Sequence, residues 1–347
     1  MNYWISIRWR KLPISFRLAR RVPSLLLILL LLALTVMLLS IGLGEYNISP
    51  VEVLKTLLGI HNSDRNYSLV INTLRLPRVL AAFLVGMGLA ISGTILQGIT
   101  RNPLADPGII GVTAGASLAA VTLIILFPAI SGFALPFAAF AGGLVVTAII
   151  YFLAWDGGSS PIRLILVGIG ITALATAIAS TIITFGDIDS VGQALIWMTG
   201  SVYGRNWQHI RALLPWLVVF MPLSLLLARD LNALNLGDDV ARGLGNAVER
   251  QRSLLIIASV ALAGASVATA GTVGFVGLIA PHLARNLVGA AHEGLLPTAA
   301  LLGGIIVVVA DLAGRLLFAP IELPCGIITA IVGAPYFLYL LYCDRNR

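Results

Sequence analysis

Apolar stretches of roughly 20 residues recur from one end of the chain to the other, separated by short polar or Gly/Pro-containing breaks. As a helix rising ~1.5 Å per residue, each is long enough to cross about 30 Å of hydrocarbon. The pattern predicts ten spans, at roughly 22–43, 79–99, 108–128, 134–155, 162–185, 209–228, 253–272, 274–290, 295–318 and 325–342. The expected fold class is an all-α polytopic membrane protein. A basic tail, residues 1–21, precedes a single transmembrane domain over residues 22–343.

Two breaks are long. Residues 44–78 contain "SPVEVLKTLLG", which reads as a short helix with Ser49 as N-cap, Pro50 as first helical residue, Glu52 as capping-box partner and Gly59 as the stop. Residues 229–252, "RDLNALNLGDDVARGLGNAVERQR", interleave charges with Leu236, Val240, Ala241, Leu244 and Val248. Glycines 237, 243 and 245 divide this loop into two short helical pieces. It is either a solvated connector or a docking element for a cytoplasmic partner, since short helices with small and apolar faces suit a groove. The basic leader "RWRKLPISFRLARR" has the look of a signal-peptide n-region. However, the apolar run after it is too long and lacks an A-x-A cleavage site, so it is expected to remain as an anchor.

Composition agrees with the periodicity. Of 347 residues, 59% are hydrophobic and 11% charged, with a mean hydropathy of +0.98. A soluble protein could not cover its surface with so few polar groups. The net charge of +7 is scattered over loop ends, which fits membrane topology and gives no reason to expect a nucleic-acid partner. An even number of spans puts both termini on one side. With the termini in the cytoplasm, fifteen Lys/Arg lie inside and seven outside, accounting for all 22. That asymmetry supports termini inside. It also places "RLPR", Arg75–Arg78, on the outer side, where topology gives cations no reason to be.

Candidate chemistry is sparse. Lys11 and Lys55 are the only lysines, neither in a G-x-x-x-x-G-K-[ST] setting, so ATP hydrolysis would need another chain. Cys325 and Cys343 lie at opposite ends of one apolar run, about 27 Å apart as a helix and beyond disulfide reach. The four histidines show no ligand spacing, and no metal or catalytic site is expected. Within the spans, Asp311 and Arg315 stand at i, i+4 and can pair on one helix face. Gln97 and Arg101 fall at the inner end of the second span. Segments 86–103 and 264–281 align without gaps through Gly86/Gly264, Ala90/Ala268, Gly93/Gly271, Thr94/Thr272 and Pro103/Pro281. They belong to spans of opposite direction, as in an inverted repeat, although matching small-residue packing motifs would look the same.

Several motifs in order resemble the FecCD/BtuC-like permeases of ABC importers of iron–siderophores, haem or cobalamin. They are "RLPR…GMGLAISGTILQGITRNPLADPGIIGVTAGAS", "NLGDDVARGLG", "GFVGLIAPHLAR", "LLPTAALLGG…ADLAGR" and "ELPCGIITAIVGAPYFLYLL", and the resemblance covers residues 25–343. It implies a type II ABC importer permease fold in a bacterial plasma (inner) membrane. Two permease chains, identical or paralogous, would form the pathway. Two P-loop ATPase subunits would use ATP and Mg on the cytoplasmic side, and a periplasmic or lipid-anchored binding protein would deliver substrate. The chain itself would bind no cofactor and act as a transport subunit, not an enzyme. Arg75, Arg78 and Arg315 match arginines that meet acidic residues of the binding protein. Leu236, Gly237, Ala241, Leu244 and Gly245, with Arg242 among them, match the ATPase-coupling helices. Asn102 matches a cytoplasmic-gate position. Ser160 lies at a second gate, where Pro161 replaces a hydroxyl residue. Cys325 replaces an aliphatic residue in "ELPxG". The expected function is import of a ferric siderophore, with cobalamin or haem as the alternative cargo. A secondary transporter with inverted repeats is the alternative from another class, but the chain offers few residues for the midplane ion site it would need.

Overall fold

In the computed structural model the described residues are 4–8, 15–44, 46–60, 65–129 and 134–344. A helix overlaps each of the ten predicted spans: α1 (Arg21–Gly42), α4 (Leu76–Thr100), α5 (Val112–Leu126), α6 (Ala134–Ala154), α7 (Pro161–Thr184), α9 (Trp207–Leu226), α12 (Val248–Ala270), α13 (Val276–Val288), α14 (His292–Leu316) and α15 (Cys325–Asp344). Seven of the described helices are long and apolar enough to cross a membrane, the second of them running over Asn66–Thr100. α5, α13 and the apolar part of α15 are shorter. Shorter elements complete the order: α2 (Pro50–Leu57), α3 (Arg65–Leu69), α8 (Ile188–Thr199), α10 (Ala228–Asn235) and α11 (Asp238–Gly243).

α4 and α12 are the axis of the bundle. In their most apolar windows 78% and 83% of residues are buried, against 22% in α7 and α9. The outer helices therefore turn apolar side chains such as Phe152, Leu153, Ile162 and Leu166 outward, the arrangement that hydrocarbon requires. Small residues let the axis close up. Ser92 of α4 hydrogen-bonds the Ser259 carbonyl of α12 at 2.8 Å, and Gly88 sits against Leu262 and Ser266, so the two helices run antiparallel. α14 lies on another face of α4, again antiparallel, with Gly86 on Gly303 and Arg78 on Asp311.

The opposed direction of α4 and α12 agrees with an inverted repeat, but the gapless residue pairing does not survive. Gly93 and Thr94 are in the middle of α4. Their matches Gly271 and Thr272 lie past the end of α12, with Gly271 at φ +72°. Gly/Ala-rich sequences produce such identities without structural equivalence.

Four further departures have local causes. The break at 44–78 is partly helical, because α3 runs through a π-helical turn, Val70–Arg75, directly into α4. Pro77 follows this turn within the continuous helix, where the change of hydrogen-bond register absorbs the donor that proline lacks. α2 begins as expected, with Ser49 Oγ accepting from Glu52 N at 3.3 Å, but the Glu52 carboxylate takes Lys55 Nζ at 2.8 Å. α12 starts at Val248, inside the break read as 229–252, because its charged first turn finds ion partners. α8 follows the N-cap Asp187, whose Oδ1 accepts from Ser190 N at 3.0 Å. Hydrogen bonding from the Ser190 hydroxyl, and then from its backbone N–H, holds the exposed Asp187 carboxyl below the usual carboxylate range. In the N-terminal tail, strands β1 (Trp4–Arg8) and β2 (Ser15–Ala19) pair antiparallel. Arg10 and Lys11 of the basic leader, and Arg345 and Arg347, lie outside the described residues.

Candidate functional site

Two clusters of predicted residues occupy opposite ends of α4, separated by about 36 Å of helix. At the N-terminal end, Arg75, Arg78 and Arg315 come together around a cavity of about 660 Å³. Their donors are engaged within the chain. Arg75 Nη1 and Nη2 donate to the carbonyls of Ile41 and Tyr46, both at 2.7 Å. Arg78 grips Asp311 through Nε at 3.1 Å and Nη2 at 2.8 Å, and reaches Glu322 through Nη1 at 2.8 Å. Arg315 bonds Ser40 Oγ at 2.7 Å and lies 3.4 Å from Asp311, so the i, i+4 pair forms as expected. These arginines tie α1, α4 and α14 together.

Charge nevertheless dominates the cavity. A fourth arginine, Arg205, lines it beside Tyr203, and among the described residues Glu322 is the one carboxylate on its wall. Arg205 lies in the α8–α9 connection. Its Nη1 is 3.3 Å from His209 Nε2, its Nε has no hydrogen-bond partner, and burial pulls its pKa down. Tyr203 is exposed and stacks under Arg78, whose guanidinium carbon is 5.5 Å from the ring centroid. Sequence reading overlooked both residues, since "TGSVYGRNW" has no periodic signal and only the outward placement of Arg205 marked it.

At the C-terminal end of α4 the two gate candidates occupy separate cavities. Asn102 lines one of about 250 Å³ with Phe275, His282 and Tyr336, and its Oδ1 accepts from Leu104 N at 2.9 Å. Arg101, just before it, takes a left-handed conformation, φ +53°. Ser160 is the N-cap of α7 but makes no side-chain cap bond. It lines a cavity of about 660 Å³ with Arg101, Asp238 and Glu249.

The predicted docking element stands beside them. Gly237, at φ +113°, separates α10 from α11, and Gly245 at φ +82° ends the second piece. Leu236, Val240 and Leu244 recur every four residues and are 64%, 49% and 67% exposed, while Ala241 is buried behind them. Three large apolar side chains left exposed so near one another are a feature of interaction surfaces. Arg242 flanks the ridge and pairs loosely with Asp239 at 3.7 Å. The base of the loop is pinned where Asn246 Nδ2 donates to Asp230 at 3.1 Å, and burial raises the Asp230 pKa despite that bond.

Residues 29–343 match the FecCD transport family. The chain is 43% identical over 333 residues to the Fe(3+)-citrate import system permease protein YfmE of Bacillus subtilis (strain 168), covering 95% of this chain and 98% of the relative. It is 43% identical to the achromobactin transport system permease protein CbrC of Dickeya dadantii (strain 3937), covering 97% of each. The hemin transport system permease protein HmuU of Yersinia pestis is 38% identical, over 90% of this chain and 95% of that protein. Among solved structures, an inward-facing conformation of a metal-chelate type ABC transporter superposes with a TM-score of 0.83 at 34% identity, covering 92% of this chain and 99% of that one. With a matched segment that takes in the arginine cluster, both gate candidates and the exposed leucine ridge, this multi-pass membrane protein belongs to the FecCD transport family.

Proposed function

We propose that this chain is the membrane-spanning permease of an ATP-driven importer in the bacterial plasma membrane, carrying a ferric chelate, foremost a ferric siderophore, toward the cytoplasm. The observation that carries this reading is the pairing of unlike docking surfaces at the two ends of α4. One end presents a basic cavity, and the other presents Leu236, Val240 and Leu244 as an apolar ridge. The basic end suits an acidic binding protein approaching from outside, where charge complementarity sets register and speeds encounter. The ridge suits the groove of an ATPase subunit that closes on ATP in the cytoplasm. Both termini lie on the ridge side in this reading, and a second permease copy or paralogue completes the pathway. ATP and Mg belong to the ATPase subunits. Ferric citrate, achromobactin and hemin in the relatives' names support an iron-bearing cargo.

Reconstitution of the complex into liposomes, with its ATPase and binding protein, tests the reading. ATP-dependent accumulation of a radio-iron siderophore or ferric citrate is expected, and haemin and cobalamin are the competing cargoes. Uptake driven by an ion gradient without ATP would overturn it.

Replacing Leu236 and Leu244 with Asp tests the ridge separately. Two anchors at the centre of an interface are expected to contribute about 2 kcal/mol each, so ATPase co-purification should fall by about 100-fold or more. The solubilised permease should keep its melting temperature, because both side chains are exposed. Undiminished co-purification would show that the ATPase docks elsewhere.

A further inference from the structure

Arg252 is fully buried, which is rare for an arginine without dedicated partners. It sits one turn into α12 and faces three separate segments. Nη2 donates to Asp238 Oδ1 of α11 at 2.6 Å. Nη1 donates to the Ser159 carbonyl and lies 3.2 Å from Ser159 Oγ. Glu249, on the preceding helical turn, is 3.5 Å from Nη1 and accepts from Ser159 N at 2.9 Å and Ser159 Oγ at 2.6 Å. Asp238 Oδ1 also accepts from Arg101 Nη2 at 3.2 Å.

The sequence neighbours of these groups give the cluster its meaning. Ser159 precedes Ser160, Arg101 precedes Asn102, and Asp238 opens the helix that carries Val240 of the ridge. The 155–159 turn is also stiff: Trp155 and Ser159 form a bridge, and Arg163 Nη2 donates to the carbonyls of Asp156 and Gly158, both at 3.2 Å. A turn so closed moves as a body when Ser159 is pulled. An arginine suits the position because its planar fork bonds in two fixed directions, which the single point charge of a lysine cannot reproduce.

We propose that Arg252 is a positioning residue that links the docking loop to both gate candidates, so that displacement of α11 moves the Ser159–Ser160 turn and the Arg101–Asn102 end of α4 together. The linkage deepens the importer reading and rests on it. A shift of α11 either carries Arg101 and the turn with it or separates Asp238 from two guanidinium groups. Arg252 is buried although its acidic partners are partly solvated, so separating it from Asp238 would leave a buried cation short of a partner, and the three segments favour concerted movement between discrete arrangements.

The test compares Arg252→Lys and Asp238→Asn with the wild-type complex in liposomes, reading iron transported per ATP hydrolysed and the stimulation of hydrolysis by loaded binding protein. Both variants are expected to transport about 2- to 30-fold less per ATP, the range of coupling changes in such networks. In a double-mutant cycle, Arg101→Gln and Asp238→Asn should be non-additive on that ratio. If Arg252 only stabilised the fold, less complex would assemble but transport per ATP in the assembled fraction would equal wild type, and the proposal would be wrong. Should Arg252→Lys fail to assemble, Asp238→Asn decides alone, since Asp238 is partly exposed. Wild-type complex that shows no ATP-driven uptake would instead remove the importer reading.

Discussion

Replacing Asp311 with Ala is expected to destabilise the folded permease by about 3–5 kcal/mol, the usual consequence of removing one partner from a buried ion pair. Asp311 is 2% exposed and sits between two arginines whose side chains are themselves 12% and 7% exposed. Arg78 holds both carboxylate oxygens, and Arg315 stands one helical turn away at 3.4 Å. Without the carboxylate, Arg78 keeps Glu322 and the Tyr203 ring at the cavity wall, and Arg315 keeps Ser40 and the Leu43 carbonyl, among the described residues. The two guanidinium groups then face each other in a poorly solvated site. At roughly 2 °C per kcal/mol, the solubilised protein should melt about 6–10 °C lower. Asp311→Asn should fall between the two, since its amide preserves shape and one acceptor. A melting temperature within a degree of wild type for Asp311→Ala would refute the strut role.

The same geometry revises how the arginines should be tested for docking. Charge reversal at Arg78 would strain the α4–α14 junction before any partner was met, so lost docking would not isolate recognition. Arg205, with only a weak histidine neighbour, is the cleaner probe of the basic cavity.

Much of this was legible in the sequence. The seven long apolar helices follow from run length alone, because a segment in hydrocarbon must satisfy its own backbone. The caps at Ser49 and Pro50, the divided docking loop and the Asp311–Arg315 pair follow from short-range rules. The clustering of Arg75, Arg78 and Arg315 came from resemblance, and no spacing rule links residues more than 230 positions apart. The hub around Arg252 was illegible for the same reason. Arg252 and Glu249 read as solvated loop charges because nothing local shows that Ser159, 93 residues earlier, folds onto them. The misjudged start of α12 came from the same oversight, since a charged turn is excluded from an apolar span until its partners are known.

Gly93→Val should be among the most damaging single changes in the bundle, abolishing the folded permease or destabilising it by about 3 kcal/mol or more. A Cβ at Gly93 would lie 2.0 Å from the Gly277 carbonyl oxygen of α13 and 2.6 Å from that residue's carbonyl carbon. The obstacle is backbone, so no rotamer change relieves it, and α13 must move away as a unit. Gly86 faces the same problem two turns earlier on the same side of α4, where a Cβ would stand 2.2 Å from the Gly303 oxygen, while one at Gly303 would reach Gly86 oxygen at 2.4 Å. α4 thus meets α13 and α14 along one face through bare backbone and α12 on the opposite face through Gly88 and Ser92, the close approach that small residues permit within membranes. Gly170 and Gly192 are helical too, but a Cβ at either meets nothing within 4 Å. Gly170→Ala and Gly192→Ala should therefore be neutral or stabilise slightly, by up to about 1 kcal/mol. Yield and melting temperature of the three variants decide the matter, and equal behaviour of Gly93→Val and Gly170→Ala would show that the α4–α13 contact is looser than the geometry requires. The clamp also matters for transport, because α4 carries the basic cavity at one end and Arg101–Asn102 at the other. A helix gripped along both faces passes displacement from end to end as a rigid lever, whereas one loosened at Gly93 would lose that displacement into its own packing.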